Sequence, residues 1–128
     1  MNKELTALIA DDEAHMRTFL KFLLVELGIT KSYLMRNGMD AVEAYKEYQP
    51  DIVLMDINMN MMNGLDALER IMEINPDAIV IMMTAVSTRD AIERSNHSGA
   101  IYYILKTQDS EDIKAQISEV IEALRSQT

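Results

Sequence analysis

Asp11, Asp12, Asp56, Thr84 and Lys106 are the residues whose types and spacing could do chemistry together. Each stands at the end of an apolar run. Asp11 and Asp12 follow Leu5–Ala10, Asp56 ends Asp51–Met55, Thr84 follows Ala78–Met83, and Lys106 follows Ala100–Leu105. If the runs are parallel strands, the five side chains share one rim of a sheet, the carboxyl-end rim where open α/β sheets bind ligands. Three carboxylates, a hydroxyl and an ammonium there would hold a divalent cation and a phosphoryl group. Taken singly, each residue has a plainer explanation. The Asp11–Glu13 acids suit the first turn of a helix, Asp56 could be a loop acid, Thr84 a turn hydroxyl and Lys106 a solvated edge lysine. None of these explains why all five fall at the same end of four runs.

Carboxylates with a backbone carbonyl and waters are the hard oxygen donors that Mg²⁺ prefers. A carboxylate beside such an ion can attack phosphorus and become an aspartyl phosphate. The ammonium and the hydroxyl then neutralise and hydrogen-bond the phosphoryl oxygens. No histidine is placed to act as general base, and an ionised carboxylate needs none. His15 and His97 read as surface residues.

The elements that must position these groups follow from periodicity. After Asp12, Met16, Leu20, Leu23, Leu24 and Leu27 share one helical face, ended by Gly28. A short strand, Ser32–Met35, leads through Asn37-Gly38 to a helix over Asp40–Tyr48. The third strand is Asp51–Asp56. A long loop reaches Asn63-Gly64, and Leu65, Leu68, Ile71 and Met72 mark the next helix. Strand four, Ala78–Met83, precedes a weak helix from about Ser87 to His97, whose apolar anchors are chiefly Ala91 and Ile92. Strand five is Ala100–Leu105. The last helix buries Ile113, Ile117, Val120, Ile121 and Leu124 and ends near Gln127. Five βα units with continuous apolar strands imply an α/β fold covered on both faces. Right-handed crossovers make it a doubly wound, five-stranded, flavodoxin-like sheet of order 2-1-3-4-5. Its switch point lies between strands 1 and 3, both of which end in acids.

Composition narrows the function further. A chain of 128 residues is one domain by size, burying about two-thirds of its unfolded surface. The absence of cysteine excludes disulfides and thiolate chemistry and suits a reducing compartment. No run is long enough for a signal core or a membrane span, so a cytoplasmic protein is expected. The net charge of −9 disfavours nucleic acid and suits cations or basic partners. The eleven methionines read as core filler. Met59, Met61 and Met62 in one loop lack the Cys or His neighbours of a soft-metal site.

At these residues the chain resembles a response-regulator receiver domain of two-component signalling, nearly end to end. The acid pair matches Asp11 and Asp12. The motif D-x-x-M-P-x-x-x-G matches Asp56, Met59 and Gly64, with Asn60 where proline is usual. The strand-4 hydroxyl matches Thr84 with the small Ala85 after it, and G-A-x-x-Y-x-x-K matches Gly99, Ala100, Tyr103 and Lys106. Asn37-Gly38 and Ala41 fit the usual start of helix 2. The resemblance implies a single receiver domain over 1–128 with no output domain, phosphorylated on Asp56 from the phosphohistidine of a sensor kinase or phosphotransfer protein. It implies Mg²⁺, or Mn²⁺ in its place, held by Asp12, Asp56 and the Asn58 backbone carbonyl, with Asp11 acting mainly through the ion's waters. Lys106 and Thr84 would contact the phosphoryl group. Thr84 and Tyr103 would form a switch pair, although Tyr103 beside Tyr102 also reads as a half-buried strand aromatic. Output would pass to a target protein through helix 4, strand 5 and helix 5. The chain would then be a phosphoacceptor switch, with autodephosphorylation as its only self-catalysed turnover.

The chain departs from the pattern in two places. Thr107 stands where a proline in a cis bond usually follows the lysine. A cis bond before a residue other than proline costs roughly 2.5–4 kcal/mol, so a trans Lys106–Thr107 bond is expected. Asn60 for proline should loosen the loop after Asp56. Other functions stay open from sequence. One is a phosphorelay intermediate that hands its phosphoryl group to a histidine phosphotransfer protein. Another is an Mg²⁺-dependent phosphohydrolase with an aspartate nucleophile, which usually wants a second acid where Asn58 stands. A phosphorylation-independent adaptor would not need all five residues. A nucleotide-binding flavodoxin-like module would need glycines that the acidic first turn lacks.

Overall fold

A computed structural model describes residues 4–85, 89–100 and 102–127. Five strands alternate with five helices: β1 Thr6–Ala10, α1 Ala14–Glu26, β2 Lys31–Met35, α2 Gly38–Tyr48, β3 Ile52–Asp56, α3 Gly64–Ile74, β4 Val80–Thr84, α4 Arg89–His97, β5 Tyr102–Leu105 and α5 Ser110–Ser126. All pairings are parallel and the order is β2-β1-β3-β4-β5, the doubly wound sheet that the sequence implies. The strands β3 and β4 are buried throughout, whereas β2 at the edge is half-exposed.

Alternation along the strands divides the interior into two cores. Ala7 and Ile9, Ile52 and Leu54, Ile81 and Met83, and Ile104 face α1 and α5, where Leu20, Leu24, Ile117 and Ile121 complete the first core. Leu8 and Ala10, Val53 and Met55, and Val80 and Met82 face α2 and α3, where Ala41, Tyr45, Leu68 and Ile71 complete the second. Parity carries past the strand ends. Asp11, Asp56 and Lys106 continue the first set, and Thr84 and Tyr103 belong to the second.

Local chemistry sets the boundaries. Asn37 and Asn63 cap α2 and α3, each side chain accepting the N–H of the residue three positions on. The Asn37 cap starts α2 at Gly38, two residues before the expected Asp40. Gly28 ends α1 with φ +93°, a conformation suited to glycine. Strand β4 begins at Val80 rather than Ala78, because the Ala78 N–H is held in a turn by the Asn75 carbonyl. It runs on to Thr84, which pairs with Leu105.

Helix α4 is the least apolar element. Ile92 is half-buried, and Ser95 is fully buried with its hydroxyl unpartnered. Arg94 ties α4 to α3, its Nη2 lying 2.6 Å from Asp66 Oδ1 and 3.0 Å from Glu69 Oε1. The expected start near Ser87, the Ala91 side chain and Ile101 of strand five lie outside the described residues. Among the described residues, no helix is long and apolar enough to cross a membrane.

Candidate functional site

The carboxyl-end rim of β1, β3, β4 and β5 gathers the acids, the hydroxyl and the lysine. Asp11 extends the β1 ladder by one bond, its N–H donating to the Met35 carbonyl at 3.1 Å. Its Oδ1 accepts the Glu13 N–H at 2.9 Å, and Arg17 Nη1 holds its carbonyl at 2.7 Å. These bonds turn the chain into α1 and fix the Asp11 carboxylate inside the rim, where it is 1% exposed. Asp12, one residue on, is exposed.

Asp56 closes β3 opposite Met83. The loop after it is pinned at two glycines. A Cβ on Gly64 would stand 2.0 Å from the Asp56 carbonyl oxygen, and the Gly64 N–H donates to the Ile57 carbonyl at 2.7 Å. A Cβ on Gly38 would stand 2.2 Å from the Met62 carbonyl oxygen, which accepts the Gly38 N–H at 3.0 Å. Both glycines are therefore required by close backbone approach rather than by flexibility. Asn60 stands in a loop held from both sides. Met59 and Met62 pack against the second core while Met61 is 76% exposed, so the three loop methionines do not converge as a thioether site.

Parity decides who meets whom. Lys106, on the parity of the first core, places Nζ 2.5 Å from Asp11 Oδ2 and 3.1 Å from Asp56 Oδ1. One carboxylate oxygen from each of Asp11, Asp12 and Asp56 lies within 4.8 Å of the other two. Thr84, on the parity of the second core, hydrogen-bonds the Tyr103 hydroxyl. The two tyrosines of β5 point to opposite faces. Tyr103 packs on the second core, and Tyr102 packs on the first with its hydroxyl 2.5 Å from Glu119 Oε2. An open recess of about 240 Å³ lies over the cluster, lined by Asp12, Glu13, Asp56, Asn58, Ala85 and Lys106.

Electrostatics follow from this packing. Burial, then the nearby Asp11 charge, pushes the Asp56 carboxyl up to about 6 against the opposing pull of Lys106. Burial opposes the Lys106 charge, but Asp11 and Asp56 outweigh it and hold the ammonium above its ordinary range. Burial raises Tyr103, with its Thr84 bond acting the other way. Three clustered carboxylates with one ammonium suit a hard divalent cation, because oxygen donors of this charge neutralise it without soft ligands.

The structure brings Asp11, Asp12, Asp56 and Lys106 together, and places Thr84 at the end of β4 with its side chain paired to Tyr103 on the other face of the sheet. Asn58 lines the recess, and its N–H donates to Asp56 Oδ1 at 3.4 Å. One emphasis differs from the sequence expectation: Asp11 is the direct partner of Lys106. Sequence reasoning missed Arg17 and read Glu13 only as an acid of the first helical turn, whereas its N–H donates to Asp11 Oδ1 and it lines the recess. Arg17 sits in the first turn of α1, half-buried, and was readable only as a helix-surface cation. The peptide bond after Lys106 is trans, there being no cis bonds among the described residues. His15 and His97 are exposed.

Residues 7–118 match the response regulator receiver domain family. The chain is 41% identical over 117 residues to the chemotaxis protein CheY of Thermotoga maritima, covering 91% of this chain and 92% of that one. It is 36% identical over 114 residues to CheY of Bacillus subtilis, covering 89% and 95%. Among solved structures, a CheX-CheY-BeF3-Mg²⁺ complex from Borrelia burgdorferi matches with a TM-score of 0.86 at 28% identity, over 91% of this chain and 89% of that one. A CheY-like receiver domain from Methanospirillum hungatei matches in fold with a TM-score of 0.89, over 98% and 100% of the two chains at 21% identity.

Proposed function

This chain belongs to the response-regulator receiver domain family, and from that premise we propose that Asp56 accepts a phosphoryl group from a partner's phosphohistidine. The observation that carries the reading is Lys106 Nζ bridging Asp11 and Asp56 at the ends of three strands. An ammonium held between two acids marks where negative charge is managed, and an incoming phosphoryl group brings more of it.

With its carboxyl near 6, Asp56 is mostly ionised at pH 7 and attacks phosphorus without a general base. The Asp56 Oδ–P bond forms as the P–N bond of the donor histidine breaks, its electron pair returning to the imidazole. Lys106 is within reach of the oxygens that Asp56 gains. Thr84 turns its hydroxyl from Tyr103 to the phosphoryl group, which frees the ring of Tyr103 to move. A divalent ion, Mg²⁺ or Mn²⁺, would be held by Asp12, Asp56 and the Asn58 carbonyl, with Asp11 acting mainly through the ion's waters, and would supply charge neutralisation for the phosphoryl group. Water reverses the modification, so the domain is a switch that is reset rather than an enzyme with outside substrates. Output passes through α4, β5 and α5 to a target protein. The solved relative in complex with CheX supports signalling by protein binding. Asn58, where a phosphohydrolase would carry a second acid, argues against turnover of small phosphoesters.

The test is incubation with Mg²⁺ and acetyl phosphate, read by intact mass. One hydroxylamine-labile phosphoryl group is expected on the wild type and none on Asp56→Asn. Label retained by that variant, on a serine or a histidine, overturns the reading.

A further inference from the structure

Lysine carries its charge on a flexible four-carbon stem, so the direction of its backbone decides where the ammonium settles. Lys106 and Thr107 are the two central residues of a turn that links β5 to α5. The turn is closed at the Leu105 carbonyl, which accepts the Gln108 backbone N–H at 3.4 Å and the Gln108 side-chain Nε2 at 3.1 Å. The same Nε2 donates to Gln116 Oε1 at 3.2 Å, and Gln116 Nε2 donates back to Gln108 Oε1 at 3.0 Å. Gln116 lies in the second turn of α5, between Ile113 and Ile117, which are both buried in the first core. Both amides are partly buried, so the bonds are sheltered from competing water. On the other flank, the Lys106 N–H donates to the Thr84 carbonyl at 2.8 Å.

We propose that Gln108 and Gln116 are positioning residues for phosphoryl transfer, their reciprocal amide pair aiming Lys106 at Asp11 and Asp56. The pair couples the turn to α5, an element anchored by four core residues, and so gives a threonine-containing turn a fixed exit direction. Neither glutamine touches the reacting atoms. The proposal rests on the reading of Asp56 as phosphoacceptor.

The bonding pattern orders a series of variants. Gln108→Met keeps the volume of the side chain and loses all three side-chain bonds. Gln116→Ala loses the reciprocal pair and keeps the bond from Gln108 to Leu105. Gln116→Glu still accepts from Gln108 Nε2 and serves as the conservative rescue. With Mg²⁺ saturating, the rate of acetyl phosphate labelling at saturating donor should fall roughly tenfold or more in Gln108→Met, as misplacement of a charge-stabilising group does. It should fall less in Gln116→Ala and recover toward wild type in Gln116→Glu, with the donor concentration for half-maximal rate unchanged throughout. In the metal-free protein, hydrogen exchange at the Lys106 amide should quicken in Gln108→Met while the interior amides of β4 and α5 hold. Wild-type rates in all three variants overturn the proposal, as does an Ala and Glu pair at 116 that behave alike. A wild type that takes up no phosphoryl group overturns the site reading and this inference with it, whereas a labelled wild type with indifferent variants removes this inference alone.

Discussion

The site works by holding groups together that would separate in water. Burial and Asp11 raise the Asp56 carboxyl to about 6 from an ordinary 3.8, so the fold binds this proton more tightly than the unfolded chain does. Stability tied to Asp56 is therefore fully present below about pH 4, is lost as the pH rises to about 6, and stays flat above. Asp56→Asn should stabilise the metal-free protein by roughly 1–2 kcal/mol at pH 7 and by little at pH 4, since only the ionised form is penalised. Urea titrations of both proteins at the two pH values check the sign, and an equal gap at both would refute it. Lys106 acts in the opposite sense. Lys106→Ala leaves Asp11 and Asp56 facing each other unneutralised and should destabilise the metal-free fold by about 2 kcal/mol or more. The same change should leave Mg²⁺ affinity intact or tighter, because a competing cation has gone, whereas Asp12→Ala should weaken it. Calorimetric titration of the two variants with Mg²⁺ separates these roles, and matched losses of affinity would show the division to be wrong.

At the scale of elements, strands carry the site and helices differ in how firmly they are held. Helices α1 and α5 bury continuous apolar stripes in the first core. Helix α4 instead relies on an exposed Arg94 clamp to α3 and turns a buried serine inward. An unpartnered buried hydroxyl lacks compensation for the water it lost, so the helix should be among the elements that open first. Ser95→Ala should stabilise the protein by about 1 kcal/mol and slow amide exchange within α4. If exchange in α4 were unchanged while global stability rose, the hydroxyl would not be what loosens this helix. A more firmly held α4 should also respond less to phosphorylation, because the proposed output passes through it.

For the molecule as a whole, the acids form one site only if one ligand satisfies them together. Mg²⁺ at a hundredfold excess over its dissociation constant should stabilise the wild type by about 2.7 kcal/mol through binding to the folded state alone. Asp56→Asn should gain much less, having lost one of the three carboxylates that lie within 4.8 Å. Thermal melts with Mg²⁺ and with EDTA test this, and an unmoved wild-type midpoint would mean that the three carboxylates are not one site. The net charge of −9 favours cation accumulation around the molecule, so the melts belong at fixed ionic strength.

How much of this was written in the chain differs between fold and site. The strand runs, the glycine and asparagine stops and the βα alternation determined the topology, because a parallel sheet buried on both faces needs continuous apolar strands and admits few crossovers. The rim residues were also legible, since each follows directly from a strand end. Even the split of the site was latent in strand parity: Asp11, Asp56 and Lys106 continue one face, and Thr84 and Tyr103 lie on the other. Tertiary structure alone decided the rest. Asp11 rather than solvent meets Lys106, Gly64 meets the Asp56 carbonyl, and Gln108 reaches Gln116 across the start of α5. These contacts depend on how separate elements are placed against one another, and local propensity and periodicity, which act along the chain, carry no information about that placement.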